Sequence, residues 1–224
     1  MEKLHGIRHS ILKMVKVLIM HFQYSWGIKM LGEYGPLVIF SIIIISGIVI
    51  ATPLGRNMNI ALNDTRRMLL GLVIVETGTL LTSMWTEVIH REIAATGGTN
   101  FCAADGMVQC GSVIGDPTYS ELFGISWGMI GMLSFSVLLY LSISLFFGPR
   151  DKMANAWLSI AFLMSLPGLI GVAWLVIVEL FLVDGAPHIC PYCTAVHIGM
   201  IATIAILYAL RNQNEEGRWD IANN

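Results

Sequence analysis

The chain has 224 residues, of which 55% are hydrophobic and only 12% charged, with a formal net charge of −2. An ordinary soluble domain carries roughly 25% charged residues, so this composition excludes a conventional water-soluble surface. The apolar residues occur in long blocks, and about 20 in succession are enough to cross a hydrocarbon layer of about 30 Å. No basic patch is present, so we expect no nucleic-acid partner.

Five apolar blocks follow one another along the chain. They cover residues 36–54, 68–88, 124–147, 153–183 and 191–210. Because lipid offers the backbone no hydrogen-bonding partner, each block is predicted to be a helix. Glu76 and Glu179 lie inside the second and fourth blocks. A carboxyl group there is either functional or a protonated side chain bonded between helices, and the sequence assigns neither residue a role.

The distribution of Lys and Arg orients these helices. If each block crosses once, one face of the membrane receives seven basic residues and the other receives one. The seven are Arg56, Arg66, Arg67, Arg150, Lys152, Arg211 and Arg218, and the single one is Arg91. Short basic loops stay in the cytoplasm. All four cysteines are therefore expected on the non-cytoplasmic side, where disulfides persist.

The basic segment at residues 1–35 does not fit this count, because five spans would place it on the outer face. Three interpretations stay open. Residues 11–31 form a sixth span, or they lie in the interface as a basic amphipathic helix, or the segment translocates despite its charge. Lys13 and Lys16 interrupt any apolar core, which is not typical of a cleavable signal peptide.

A Cys-Pro-Tyr-Cys motif at residues 190–193 opens the last block. A helix N-terminus favours the thiolate, which is the attacking species in thiol chemistry, and this spacing is typical of a redox-active pair. Cys190 precedes the helix and is expected to be the more open thiol, with Cys193 deeper. Two inert thiols are one alternative. A metal site is another, in which His188 and His197 complete a Cys₂His₂ set.

Cys102 and Cys110 lie in the polar connection between the second and third blocks. By themselves they fit a structural staple and a reducible shuttle disulfide equally well. Beside a CxxC motif on the same face they indicate a relay, because a thiolate that attacks a disulfide sulfur passes electrons from one pair to the other.

Together these features resemble the vitamin K epoxide reductase family over about residues 66–211. In the family's order, the chain has a transmembrane helix, a loop with two cysteines, a segment similar to Ser-x-Tyr-x-x-x-Phe-Gly-Ile-Pro and a late helix with CxxC. Tyr119 and the Phe-Gly-Ile-Ser run at residues 123–126 carry the third feature. Ser126 replaces the family's proline. The family's serine next to the second loop cysteine has no clean match.

The resemblance implies an all-α membrane protein with a four-helix transmembrane bundle, here with at least one extra N-terminal transmembrane helix. The chain is divided accordingly. Its parts are a basic segment (1–35), an extra helix with its linker (36–65), the catalytic bundle (66–211) and a polar cytoplasmic tail (212–224).

The resemblance also implies site residues. Cys193 would face a quinone of menaquinone or ubiquinone type, Cys190 would exchange with Cys110, and Cys102 would exchange with a protein outside. The residues expected at the quinone are His197, Phe123 and Tyr192. No fused thioredoxin-like domain is expected, so the partner would be a separate thioredoxin-like (DsbA-like) protein on the non-cytoplasmic side.

The predicted function is quinone-dependent thiol oxidation that supports disulfide formation, carried out by a multi-pass cell-membrane enzyme. Electrons would pass from the partner through Cys102 and Cys110 to Cys190 and Cys193, and then to the quinone. An alternative in the same class is reduction of vitamin K epoxide or of the quinone itself. An alternative from another class is a metal-binding membrane carrier that uses the CxxC cysteines with His188 and His197.

Overall fold

The computed structural model describes residues 35–56, 62–98 and 107–220. The interpretations of residues 11–31 therefore fall outside the described residues, as does Cys102. The chain divides after Pro36, and the fold below is that of the unit that begins at Leu37.

Helices dominate the described chain. In order they are α1 (Gly35–Ala51), α2 (Pro53–Arg56), α3 (Asp64–Thr96), α4 (Gly111–Ile114), α5 (Trp127–Phe147), α6 (Ala154–Ile177) and α7 (Pro191–Glu215), with a π-helical turn (Val178–Leu182) extending α6. The strands β1 (Glu121–Leu122) and β2 (Ile125–Ser126) pair antiparallel between α4 and α5.

Four of these helices are long and apolar enough to cross a membrane: α3, α5, α6 with its π-helical turn, and α7. The apolar helix α1 is shorter, with 17 residues. The prediction of an all-α membrane bundle with an extra N-terminal helix is confirmed. The chain is a multi-pass membrane protein.

Capping residues, rather than hydropathy, decide where three of the long helices begin. The Asn63 side chain accepts a hydrogen bond from Arg66 N at 2.9 Å, Ser126 Oγ accepts one from Met129 N at 3.2 Å, and Cys190 caps α7. Each cap satisfies a backbone donor that the first helical turn leaves free. Helix α3 therefore extends well beyond the apolar block predicted at 68–88.

Helix α3 lies at the centre of the bundle and packs most extensively against α5 and α7. The fully buried side chains between the four long helices include Leu69, Leu72, Val75, Phe135, Leu138, Leu158, Leu207 and Leu210. Helix α1 joins α3 through glycines, since a Cβ atom built on Gly47 would lie 2.7 Å from the carbonyl oxygen of Gly71. Small residues of this kind let membrane helices approach closely.

The two ends of the bundle differ. The cysteine end is where α7 begins and where Cys110, Cys190 and Cys193 lie. At the opposite end, α7 runs on to Glu215, and the chain then turns back onto the bundle. Trp219 Nε1 donates to Pro149 O at 2.5 Å, and Asp220 N donates to Thr65 Oγ1 at 3.0 Å. Much of the predicted polar tail is therefore packed.

Candidate redox site at the cysteine end

The CxxC motif forms the first turn of α7. Cys190 is the capping residue, with extended backbone (φ −89°, ψ 112°), and Pro191 occupies the first helical turn. Proline suits this place because its fixed φ matches the helix and its missing N–H is not needed. The Cys193 backbone N–H points at Cys190 Sγ, 3.3 Å away. A helix N-terminus and this N–H both favour negative charge on the Cys190 sulfur.

The two CxxC thiols differ in exposure, and their order is the reverse of the predicted one. Both are free, Cys190 is completely buried, and Cys193 is partly exposed. The expectation that Cys190 is the more open thiol is therefore wrong. Its place before the helix does not expose it, and the residue before it, Ile189, is paired with the loop segment at residues 107–110 through Val108.

A parallel backbone bridge joins that loop segment to the chain just before CxxC. Val108 pairs with Ile189. Ile189 N donates to Met107 O at 2.8 Å, and Gln109 N donates to Ile189 O at 3.1 Å. Paired strands lie about 4.8 Å apart, and Cys110 and Cys190 follow the bridge by two residues and one residue. The bridge therefore pairs the chain segment that leads into Cys110 with the segment that leads into Cys190.

Cys110 is completely buried and takes part in a disulfide. It precedes the short helix α4, whose last carbonyl, Ile114 O, lies 2.9 Å from His90 Nδ1 on α3. Gln109 Nε2 lies 2.7 Å from His188 Nδ1. Sequence reasoning missed His90 and Gln109, because neither stands in a motif that could have identified it.

The hairpin β1–β2 lies farther along the same connection. Its two-residue turn consists of Phe123 and Gly124, both with positive φ (54° and 78°), as a type I′ turn requires. The Phe123 side chain is 95% exposed, so the structure does not pack it against the thiols. At the base of the hairpin, Ser126 Oγ donates to the buried carboxylate of Glu87, which also binds Arg91.

The other two residues expected at the quinone are buried. Tyr192 is completely buried and His197 is 7% exposed. His197 Nε2 is buried without a hydrogen-bond partner among the described residues. An imidazole nitrogen can donate a hydrogen bond to a quinone carbonyl, so His197 fits a quinone, and it lies one helical turn beyond Cys193 on the same face.

The histidines do not gather around the CxxC thiols as the metal alternative requires. The ring of His188 lies against Gln109 and, through Nε2, 3.1 Å from Asp184 O. Within the described ranges, no group of three or more His, Cys, Asp or Glu side chains is arranged to hold a metal ion.

Comparison with known proteins gives one clear result. The model of the vitamin K epoxide reductase family matches residues 67–208, which is more than half of the chain. The chain belongs to the vitamin K epoxide reductase family. The predicted family is thus confirmed, and membership supports an oxidoreductase that works on quinones and disulfides. Neither a curated protein nor a solved structure matches the chain.

The family match runs from α3 to α7 and so coincides with the four long helices. Helix α1 lies outside the match, although it packs against α3 through Gly47 and Gly71. The bundle therefore has the family's extent, and α1 is an addition that this chain packs onto it.

Proposed function

We infer that this protein is a quinone-dependent thiol oxidase that supports disulfide formation. A separate thioredoxin-like protein would give two electrons to the Cys102–Cys110 pair. The loop pair would pass them to Cys190 and Cys193, which would reduce a membrane quinone of menaquinone or ubiquinone type. The reaction would take place on the non-cytoplasmic side, as the distribution of Lys and Arg favours.

The observation that carries the proposal is the parallel bridge between Val108 and Ile189. Thiol–disulfide exchange requires a thiolate to attack a disulfide sulfur, and a disulfide forms only when the two Cα atoms lie within about 7 Å. The bridge pairs the two segments that lead into Cys110 and Cys190, and Cys190 is a free thiol. A structural staple within the loop would need no such pairing with the chain before CxxC.

The redox states of the cysteines correspond to an intermediate step of the proposed relay. Cys110 is in a disulfide, and both CxxC cysteines are free thiols. In this state the CxxC pair holds the two electrons that the quinone would accept. A bound quinone would take up two electrons and two protons, and the unpartnered His197 Nε2 would be available to donate a hydrogen bond to it.

Quinone reduction by the purified protein tests the proposal. With a small dithiol as reductant, Cys193→Ala should abolish the activity and Cys102→Ala should retain it, because a small thiol reaches CxxC without the loop pair. With a reduced thioredoxin-like protein as reductant, both variants should be inactive. Equal loss for Cys102→Ala with both reductants would make the loop pair a staple.

Two further measurements address the alternatives. Adding a chelator or a divalent metal should leave the quinone-reduction rate unchanged, whereas a metal carrier would bind metal and show no quinone reduction. Replacing the quinone by vitamin K epoxide shows whether the epoxide is a substrate. Turnover of the epoxide faster than that of the quinone would make the epoxide the preferred electron acceptor and favour that alternative.

A further inference from the structure

Glu179 is held at the CxxC motif by a change in helix type. Helix α6 becomes π-helical over Val178–Leu182, and Glu179 lies in that turn. Short π-helical stretches are rare and frequently occur at functional sites. His188 N donates to Glu179 O at 2.9 Å, which ties the turn to the residues that lead into CxxC. The side chain of Glu179 is buried, with 4% of the residue exposed.

The Glu179 carboxylate lies close to CxxC, with the backbone N–H of Cys190 and the thiol of Cys193 among its polar neighbours. Its buried Oε1 atom has no hydrogen-bond partner within the part of the chain that the structure describes. Among the described residues, no Lys or Arg forms an ion pair with it. A buried carboxylate without an ion-pair partner is energetically costly. Taking a proton from the adjacent thiol would remove that cost.

The two thiols of CxxC are treated differently by their surroundings. The sulfur of Cys190 receives the backbone N–H of Cys193, which favours its thiolate. The thiol of Cys193 faces the Glu179 carboxylate instead. A carboxylate does not stabilise a neighbouring thiolate, but it can take the proton of a neighbouring thiol. This arrangement gives Cys193 a base of its own.

We propose that Glu179 is a catalytic residue that accepts the proton of the Cys193 thiol and returns it when the quinone is reduced. The proposal rests on the proposed function and names a further participant in it. The S–H bond of Cys193 breaks, an O–H bond forms on Glu179, and the electron pair stays on sulfur.

The overall reaction balances. The two thiols become the Cys190–Cys193 disulfide, their two electrons and two protons go to the quinone, and the quinone leaves as the quinol. One of the two protons passes through Glu179, which is a carboxylate again at the end. A positioned general base of this kind contributes typically about 10²- to 10⁴-fold to a rate.

The first test needs no quinone. In fully reduced protein that carries Cys190→Ser in every variant, so that the neighbouring thiol adds no step of its own, the alkylation rate of Cys193 by N-ethylmaleimide is measured against pH by mass spectrometry. A thiol and a carboxyl group that share protons titrate in two coupled steps, so the wild-type profile should have two steps and that of Glu179→Gln should have one. The other titratable groups near Glu179 are Cys190, His188, whose ring faces Gln109, and His197, one turn farther along α7.

A second pair of variants separates proton transfer from packing. Glu179→Asp and Glu179→Asn have the same size but differ in the ability to bind a proton. The Asp variant should keep two steps and the Asn variant should show one, even if the Gln variant does not fold. Glu76→Gln is the matched control, because Glu76 is likewise buried in the bundle but lies about five and a half turns of α3 from its cysteine end. It should keep the wild-type profile.

The rate at which quinone oxidises the reduced CxxC pair is the second measurement. Glu179→Gln should lower it at least tenfold at neutral pH, with partial recovery in Glu179→Asp. The proposal would be overturned if the alkylation profile of the wild type had a single step. It would also be overturned if Glu179→Gln and Glu179→Asn kept two steps. If the wild-type protein reduces no quinone at all, the proposed function fails, while the alkylation profiles still decide the role of Glu179.

Discussion

Asn63 and Asp220 lie 157 positions apart in the sequence, and the Asn63 side chain donates a 2.6 Å hydrogen bond to the Asp220 carboxylate. Arg66 Nε lies 3.1 Å from the same oxygen, and Arg150 Nε lies 2.7 Å from the other. The Asp220 side chain is almost completely buried by these groups. It thus joins the start of α3, the connection between α5 and α6, and the end of the described chain.

Replacing Asp220 should destabilise the bundle. Asp220→Asn removes a charged acceptor from several donors, and hydrogen bonds to charged groups contribute about 1.5–3 kcal/mol each. We expect a loss of about 1–3 kcal/mol in the free energy of unfolding, measured as a lower Tm in detergent. Asp151→Asn is the control, because Asp151 lies exposed in a neighbouring connection. Equal Tm values for the two variants would contradict the proposed clamp.

The contribution of Asp220 should also depend on pH. Burial opposes ionisation of its carboxyl, but the hydrogen bonds from Asn63 and Arg66 and the charges of Arg66 and Arg150 outweigh burial, so the pKa of Asp220 lies below its usual value. A group with a lowered pKa stabilises the fold above its unfolded pKa, about 3.9 for Asp. That stabilisation is lost as the pH falls through the folded pKa. Tm should therefore fall below about pH 4 more steeply in the wild type than in Asp220→Asn.

Ser126 should be important for the fold, although the family usually has proline at its position. Its hydroxyl caps α5 and donates to the buried Glu87 carboxylate. Ser126→Ala removes both interactions and should cost about 0.5–2 kcal/mol, the usual range for a lost cap. Ser144→Ala is the control, because among the described residues Ser144 Oγ donates only to the carbonyl of Tyr140 in its own helix. If the two variants have the same Tm, the Glu87 contact contributes nothing to the stability of the fold.

The order of the relay predicts which interpair disulfide forms. In a Cys102→Ala, Cys193→Ala double variant, mild oxidation should link Cys110 to Cys190, because the bridge between Val108 and Ile189 pairs the segments that lead into these two cysteines. Mass spectrometry of the linked peptide measures it. The matched variant is Cys110→Ala, Cys193→Ala, which keeps Cys102 and Cys190. Faster linkage in the matched variant would reverse the assigned order.

The orientation predicted from seven basic residues against one can be tested in intact cells. After reduction, a membrane-impermeant maleimide should label Cys193, which is partly exposed. Lys152→Cys in a chain without the four native cysteines serves as the opposite control, because residue 152 is exposed at the other end of the bundle. It should react only after the cells are broken open. The reverse pattern would place CxxC in the cytoplasm.

The sequence by itself determined the helices, the membrane and the family. Hydropathy is a local property, so the predicted blocks 68–88 and 191–210 lie inside long helices of the structure, and the blocks 124–147 and 153–183 coincide with the other two except at their ends. Residues 124–126 belong to the β-hairpin and not to α5. The CxxC motif is local too, and so is the cap that it forms on α7. The ends of the helices were less certain, because single capping residues such as Asn63 decide them.

Only the tertiary structure decided which residues of the site meet. The pairing of Val108 with Ile189 joins residues 81 positions apart, and no periodicity in either segment predicts it. Cys190 is buried, although its position in the sequence had suggested that it was open. Glu179 could be recognised as a carboxyl group in an apolar block, but its contact with both cysteines depends on a π-helical turn and on how α6 packs against α7. Such contacts between distant segments follow from the packing of whole elements, and the local sequence does not encode them.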